Sequence, residues 1–128
     1  MPVRERQRLI AIIDDDEDVR QAIRDLMRAL GFAAEVFSSA EDFLRSSHAG
    51  RAACLIADVN MPGMSGLDLC HHLSEGGRAI PTILITAYPT ADLRSLALAA
   101  GAVRFLTKPF LEADLIEGVQ VALGQDRS

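Results

Sequence analysis

The sequence predicts a doubly wound α/β fold in which a parallel β-sheet carries helices on both faces. Five short apolar runs alternate with segments of helical periodicity along the 128 residues. Four of these runs are almost continuous in apolar residues, as strands covered on both faces should be. A strict strand–helix alternation gives parallel strands joined by right-handed crossovers. We therefore expect a (βα)5 domain.

The predicted strands are short apolar runs between polar or turn-forming residues. In chain order they are LIAII (9–13), AAEVF (33–37), CLIA (54–57), TILI (82–85) and AVRFL (102–106). The run at 33–37 has the weakest apolar character, and we expect it at an edge of the sheet. The other four are predicted to be covered on both faces.

The predicted helices show apolar residues at the spacing of one helix face. The stripes are Val19, Ile23, Leu26, Met27 and Leu30; Leu93, Leu96, Ala97 and Ala100; and Leu111, Leu115, Val119 and Leu123. Gly31 follows the first stripe as a C-terminal stop. SSAE at 38–41 predicts a capping box for the second helix, and SGLD at 65–68 predicts a weaker one for the third.

Composition and length describe one ordinary globular domain. The chain is 49% hydrophobic and 24% charged, with a formal net charge of −5. This balance argues against a direct nucleic-acid partner, which would require a clustered basic face. No apolar stretch approaches the length of a membrane span, so we expect a cytoplasmic protein without membrane contact. We place the domain at residues 8–123, between polar termini at 1–7 and 124–128.

Cysteine and histidine spacing does not indicate a metal site. Cys54 lies in a predicted strand and Cys70 on a predicted helix face, so both are expected to be buried thiols. His71 and His72 are adjacent on a helix and point about 100° apart, so they cannot share a metal ion. We expect these histidines at the surface or facing a partner.

Polar side chains collect where the predicted strands end. Asp14 and Asp15 follow the first strand, and Asp58 follows the third. Thr86 ends the fourth strand, and Lys108 comes shortly after the fifth. A doubly wound sheet binds its ligands outside the carboxyl ends of its strands. The sequence therefore predicts a site with three carboxylates, a hydroxyl and an ammonium group.

Three converging carboxylates repel one another unless a cation lies between them. Oxygen ligands that leave room for water and phosphate suit Mg²⁺ better than Ca²⁺ or zinc. With a lysine and a hydroxyl opposite, the set predicts a phosphoryl-transfer site in which a carboxylate attacks phosphorus. By contrast, Asp16, Glu17 and Asp18 are expected to complement the dipole of the first helix.

Four sequence segments carry a family resemblance. They are IIDDDEDVR (12–20), DVNMPGMSGLDL (58–69), ILITAY (83–88) and GAVRFLTKPF (101–110). In order and spacing they resemble a bacterial two-component response-regulator receiver domain over residues 8 to about 123. The type is similar to receivers of nitrogen-fixation and tetrapyrrole-type systems. The resemblance implies a flavodoxin-like sheet with strand order 2-1-3-4-5.

The resemblance implies a role for each matching residue. Asp58 would be the phosphoacceptor, and Lys108 would bind the phosphoryl group. Asp14, Asp15, Asp58 and the backbone carbonyl of Asn60 would hold Mg²⁺, for which Mn²⁺ could substitute. The turn at Pro62 and Gly63, with glycine at positive φ, would leave Asp58 facing the crevice.

The resemblance also implies a switch. Thr86 and Phe105 would move together on phosphorylation, the hydroxyl toward the phosphoryl group and the ring inward. The Lys108–Pro109 peptide would be cis. Two residues depart from the common pattern: Arg104 puts the usual inter-subunit salt bridges in doubt, and the bulky Tyr88 is predicted to restrict water access and, with Asn60, to affect the lifetime of the phosphoryl group.

The implied partners are proteins. A sensor histidine kinase or a phosphotransfer protein would donate the phosphoryl group, and a downstream protein target or a fused output domain would read the result. The fourth helix, fifth strand and last helix form the expected face for a partner or a homodimer. Because only GQDRS follows the last predicted helix, we expect a single-domain regulator or an isolated receiver.

Two alternatives remain open from the sequence. A haloacid-dehalogenase-like phosphatase also uses a nucleophilic Asp, Thr or Ser, Lys and Mg²⁺. Its D-x-D-x-[TV] motif would start at Asp14, but Asp18 stands where Thr or Val belongs. The second alternative is a receiver-like interaction module that is not phosphorylated. Such proteins typically lack one of the acids, the Thr or the Lys, all of which are present here.

Overall fold

The chain folds as a five-stranded parallel sheet with the order β2-β1-β3-β4-β5. The computed structural model describes residues 8–47 and 49–124. The expected polar termini therefore lie outside the described residues, except for Gly124. The predicted fold class and strand order are confirmed, and β2 lies at an edge as expected.

Strands and helices alternate without exception along the described residues. Their bounds are β1 (Leu9–Ile13), α1 (Glu17–Ala29), β2 (Ala33–Phe37), α2 (Ala40–Arg45), β3 (Ala52–Asp58), α3 (Gly66–Glu75), β4 (Thr82–Thr86), α4 (Ala91–Ala99), β5 (Arg104–Thr107) and α5 (Glu112–Ala122).

Burial separates the central strands from the edge strands. Every residue of β1 and β4 is buried, and so are the last five residues of β3. The prediction that the fifth strand is covered on both faces and starts at residue 102 was wrong. β5 starts at Arg104, forms the second edge of the sheet, and has Phe105 as its one buried residue. An edge strand pairs on one side only, so its faces are less completely covered.

Two apolar cores lie on opposite faces of the sheet, because successive strand residues point to opposite sides. One core joins Ile13, Leu55 and Leu84 to residues of α2, α3 and α4. The other joins Ile12, Ile56, Ile83 and Ile85 to residues of α1 and α5. Cys54 and Cys70 are buried free thiols, as predicted, and burial raises the pKa of Cys54 to about 12.

Helix boundaries correct three details of the sequence prediction. The N-cap of α2 is Ser39, whose side chain accepts a hydrogen bond from the backbone of Asp42, so Glu41 is free for another contact. Leu111 is the N-cap of α5 and is 70% exposed, and Leu96 on α4 is 53% exposed, so neither belongs to a buried stripe. The capping box at Ser65 is confirmed, with Asp68 as its second residue.

The described residues contain no helix that is both long and apolar enough to cross a membrane.

Candidate functional site

The side chains expected at the carboxyl edge of the sheet do meet there. Asp58 and Thr86 are the last residues of β3 and β4, while Asp14 and Lys108 directly follow β1 and β5. Asp14, Asp58 and Thr86 are all buried. Buried polar side chains need partners, and here they are supplied by Lys108, by Asn60 and by backbone N–H groups of the neighbouring loops.

Three carboxylates form a compact group at this edge. One oxygen each from Asp14, Asp15 and Asp58 can be chosen so that all three lie within 4.8 Å of one another. Asp14 and Asp58 are buried, whereas Asp15 is exposed. The group is therefore open to solvent on the Asp15 side and closed by the sheet on the other.

Asp14 is the most confined of the three acids. Its side chain is fully buried, and Oδ1 accepts a hydrogen bond from the backbone N–H of Asp16 at 2.9 Å. Burial raises the pKa of Asp14, and the contacts with Asp16 and Lys108 only partly oppose that effect. Among the described residues, Oδ2 finds no aligned hydrogen-bond donor. It faces the Lys108 ammonium at 2.9 Å, and a bound metal ion would coordinate this oxygen as well.

Lys108 supplies the positive charge of the site. Its Nζ donates to Asp58 Oδ2 at 3.0 Å and lies 2.9 Å from Asp14 Oδ2, the latter as an ion pair without hydrogen-bond alignment. Burial alone would lower the pKa of Lys108, but the contacts with the two carboxylates outweigh it, and the net pKa is raised. The ammonium group is therefore charged at neutral pH. The Lys108–Pro109 peptide is cis, as expected.

The loop between β3 and α3 holds the Asp58 carboxylate from its own side. The backbone N–H of Asn60 donates to Asp58 Oδ1 at 2.8 Å. Gly63 has a φ of +76°, which confirms the predicted turn. At Gly66 a Cβ atom would lie 2.6 Å from the Asp58 carbonyl oxygen. Glycine therefore lets α3 begin directly against the end of β3.

Thr86 is held by two contacts that the sequence did not reveal. Its hydroxyl donates to Asn60 Oδ1, and its oxygen accepts the backbone N–H of Tyr88 at 3.0 Å. The sequence prediction gave Asn60 a metal-binding carbonyl but no hydrogen bond to Thr86. Tyr88 itself is 73% exposed.

Phe105 lies away from the carboxylates, in the core under α4. Its ring is 8% exposed, and the guanidinium carbon of Arg94 lies 6.0 Å from the ring centroid. The Phe105 side chain is therefore buried in this structure. No pattern in the sequence pointed to Arg94, because an exposed helical arginine has no distinguishing neighbours along the chain.

The donor set fits a hard divalent cation. The group consists of carboxylate oxygens, one of them buried without an aligned donor, and it is reachable from solvent through Asp15. Mg²⁺ typically binds through one or two carboxylates and keeps several water molecules. Since both cysteines are buried elsewhere and neither His71 nor His72 belongs to the group, these residues do not form a zinc site.

Residues 10–120 match the family model of the response regulator receiver domain. This chain belongs to the response regulator receiver family. Receiver domains are signalling modules of two-component systems. The family match agrees with the group of carboxylates and lysine found at the carboxyl edge of the sheet. The three carboxylates, Lys108 and Thr86 all lie at the carboxyl ends of the strands.

Individual relatives agree with the family match. The response regulator protein TodT of Pseudomonas putida is 43% identical over 119 residues, which cover 93% of this chain and 52% of TodT. The transcriptional regulatory protein FixJ of Rhizobium meliloti is 36% identical over 113 residues, covering 88% of this chain and 55% of FixJ. This receiver chain thus spans about half the length of these curated relatives.

Solved receiver structures have the same fold. The structure titled FixJ-N has a TM-score of 0.83 at 35% identity and covers 92% of this chain and 94% of that one. The response regulator StyR has a TM-score of 0.85 at 36% identity and covers 93% of this chain and 60% of that one. A receiver protein from Burkholderia phymatum is 40% identical, with a TM-score of 0.79 and coverage of 92% and 96%.

Proposed function

We propose that this receiver accepts one phosphoryl group on Asp58 in a Mg²⁺-dependent reaction and thereby changes the surface that a protein partner reads. One arrangement carries the proposal. Asp58 Oδ2 lies 3.0 Å from the Lys108 ammonium, and the Asp14 and Asp15 carboxylates lie within 4.8 Å of that of Asp58. A nucleophile, a cation site and a fixed positive charge thus share one crevice.

The residues divide the chemistry between them. An Asp58 carboxylate oxygen forms the new bond to phosphorus while the bond from phosphorus to the donor atom breaks, and the donor atom keeps the electron pair. Asp14, Asp15, Asp58 and the Asn60 backbone carbonyl would hold Mg²⁺. The bound ion would neutralise negative charge on the phosphoryl oxygens. Lys108 contributes a second positive charge, already directed at Asp58.

Intact-protein mass spectrometry tests this chemistry directly. The native chain is incubated with acetyl phosphate, with and without Mg²⁺, beside Asp58→Asn as a nearly isosteric control. We expect a gain of one phosphoryl group that requires Mg²⁺ and is absent from Asp58→Asn, while circular dichroism shows that both chains are folded. A native chain that gains no phosphoryl group under these conditions would contradict the proposal.

Two readouts, the intact mass and the turnover of a small phosphate ester, separate the two alternatives. A haloacid-dehalogenase-like phosphatase would turn over a small phosphate ester many times, whereas a receiver catalyses only its own phosphorylation and dephosphorylation. An interaction module would bind partners without any gain in mass. The intact set of Asp14, Asp15, Asp58, Thr86 and Lys108 supports phosphorylation over the interaction module.

Thr86 and Phe105 are the proposed readout of phosphorylation. The Thr86 hydroxyl would leave Asn60 and donate to a phosphoryl oxygen, and the space that it leaves would favour the inward position of the Phe105 ring. The supporting observation is that Thr86 is fully buried and bonded to the β3–α3 loop beside Asp58. A change in the electrostatics of the site would then bias a two-state element.

The proposed phosphodonor is a sensor histidine kinase or a phosphotransfer protein, in keeping with the receiver family. An autophosphorylated, radiolabelled histidine kinase domain supplies the test. Label should move to the native chain and not to Asp58→Asn. If every histidine kinase from the same genome kept all of its label, a kinase donor would be contradicted.

The proposed partner surface consists of α4, β5 and α5, for a downstream protein, a fused output domain or a second copy of the chain. Leu96 and Leu98 on α4 are 53% and 50% exposed, which leaves apolar area available for an interface. Sedimentation analysis with Mg²⁺ and acetyl phosphate tests the homodimer. We expect the native chain to dimerise and Leu96→Glu to remain monomeric; a native monomer under these conditions would exclude the second copy.

A further inference from the structure

Glu41 makes a contact that its sequence motif did not predict. It lies in the first turn of α2, where a capping box would have turned its carboxylate back onto its own helix. Instead, Glu41 Oε2 accepts a hydrogen bond from the backbone N–H of Met64 at 3.0 Å, 23 residues further along the chain. The carboxylate thus joins α2 to the β3–α3 loop.

The glycine next to the contact shows how closely the two elements approach. A Cβ atom on Gly63 would lie 2.8 Å from Glu41 Oε2. Gly63 also has a φ of +76°, a conformation that other residues rarely adopt. The carboxylate therefore occupies the space that a side chain at position 63 would need.

The segment held by Glu41 is the one that carries the chemistry of the site. Two hydrogen bonds hold the first part of the β3–α3 loop. The N–H of Val59 donates to Ile85 O at 2.8 Å, and the N–H of Asn60 donates to Asp58 Oδ1. The last part of the loop is fixed by Glu41 at Met64 and by the capping box at Ser65. The Asn60 carbonyl lies between these two anchors.

The Met64 contact also acts on Glu41 itself. The backbone N–H of Met64 is the main cause that lowers the pKa of the Glu41 carboxyl group, with its own backbone N–H adding to it. The carboxylate is therefore ionised at neutral pH and accepts a charge-assisted hydrogen bond.

We propose that Glu41 is a positioning residue for the metal and phosphoryl site: its carboxylate anchors the Gly63–Met64 turn, and this fixes where the Asn60 carbonyl meets a bound cation. The proposal rests on the Mg²⁺-dependent function proposed above. Residues behind metal ligands commonly alter metal affinity when they are replaced. Glu41 does so through the backbone of the loop.

Three variants separate the effect of the Glu41–Met64 hydrogen bond from the effect of the negative charge on Glu41. Glu41→Ala removes the acceptor, Glu41→Gln keeps an oxygen that can accept from Met64 but removes the charge, and Glu75→Gln removes the same charge from an exposed position at the end of α3. Mg²⁺ affinity is measured by isothermal titration calorimetry on each full chain. Phosphorylation by acetyl phosphate is measured over a range of Mg²⁺ concentrations.

We expect Glu41→Ala to weaken Mg²⁺ binding by about tenfold, at the lower end of the range for residues behind metal ligands. Its phosphorylation rate at saturating Mg²⁺ should stay close to that of the native chain. Glu41→Gln and Glu75→Gln should both bind Mg²⁺ within about twofold of the native chain. If Glu41→Gln and Glu75→Gln both bound Mg²⁺ as weakly as Glu41→Ala, the loss would be a long-range charge effect and the anchor would be overturned.

Hydrogen exchange gives a readout that does not depend on Mg²⁺. Without metal, the Met64 amide should exchange faster in Glu41→Ala than in the native chain, while amides of β1 and β4 are unchanged. Equal Met64 exchange in the two chains would overturn the proposed anchor even if Asp58 is phosphorylated normally. Failure of the native chain to bind Mg²⁺ would instead overturn both this proposal and the proposed function.

Discussion

Helices α3 and α4 cover the same face of the sheet but are anchored very differently. α3 buries four of its ten residues and begins against the Asp58 carbonyl oxygen. α4 buries only Ala97 of its nine residues and exposes Leu96 and Leu98. Elements that move in signalling come from the less stable parts of a fold. The comparison indicates that α3 is held more firmly than α4, and under the proposed function α4 would be the helix that responds.

The largest expected effect is a difference in stability between two leucine-to-alanine changes. Leu69 on α3 is fully buried, so Leu69→Ala should lower the free energy of unfolding by about 2 to 5 kcal/mol. Leu96 on α4 is half-exposed, so Leu96→Ala should change it by no more than about 0.5 kcal/mol. Urea denaturation followed by circular dichroism measures both. Equal losses for the two variants would remove the contrast between α3 and α4.

A smaller effect is expected where α4 meets β5. The Arg94 guanidinium over the Phe105 ring should contribute about 0.5 to 1 kcal/mol, as exposed cation–π contacts do. A double-mutant cycle with Arg94→Gln and Phe105→Leu measures this coupling free energy by urea denaturation. Arg24→Gln, on the opposite face of the sheet, serves as the matched control. If Arg94→Gln lowers the free energy of unfolding equally with leucine and with phenylalanine at position 105, the ring contact does not stabilise the packing of α4 against β5.

The smallest effect on stability is expected at Tyr88, because its ring is 73% exposed. Tyr88→Ala should change the free energy of unfolding by less than about 0.5 kcal/mol. We still predict faster loss of the phosphoryl group in Tyr88→Ala, since the ring would restrict water access once it folds over the site. Autodephosphorylation followed by intact mass measures this rate. Decay at the native rate would show that the ring stays in solvent after phosphorylation.

The parallel sheet and the residues at its carboxyl edge could be predicted from the residues themselves, whereas the strand order was implied by the family resemblance. Continuous apolar runs such as CLIA mark buried parallel strands, and the carboxyl ends of parallel strands meet at one edge. The sequence alone therefore predicted that Asp14, Asp58 and Lys108 lie close together. The turn at Gly63 was also predictable, because its residue types determine its backbone conformation.

The contacts made by exposed side chains could not be predicted in this way. Glu41 fitted a capping-box pattern, but the cap is formed one residue later, and the carboxylate reaches a loop that is distant in sequence. Periodicity placed Leu96 and Leu111 in the core, although a helix on a sheet edge has fewer neighbours to cover its apolar side. Such choices depend on tertiary packing, which local patterns do not encode.

The Thr86 hydroxyl has a single proton, and in this structure Asn60 Oδ1 receives it. A hydroxyl can donate to one acceptor at a time, and the oxygen already accepts the N–H of Tyr88. A phosphoryl oxygen on Asp58 would therefore compete with Asn60 for the same proton, and the two bonds would be mutually exclusive. Loss of the Thr86–Asn60 bond would then be one contribution that the new contacts of the phosphoryl group must offset.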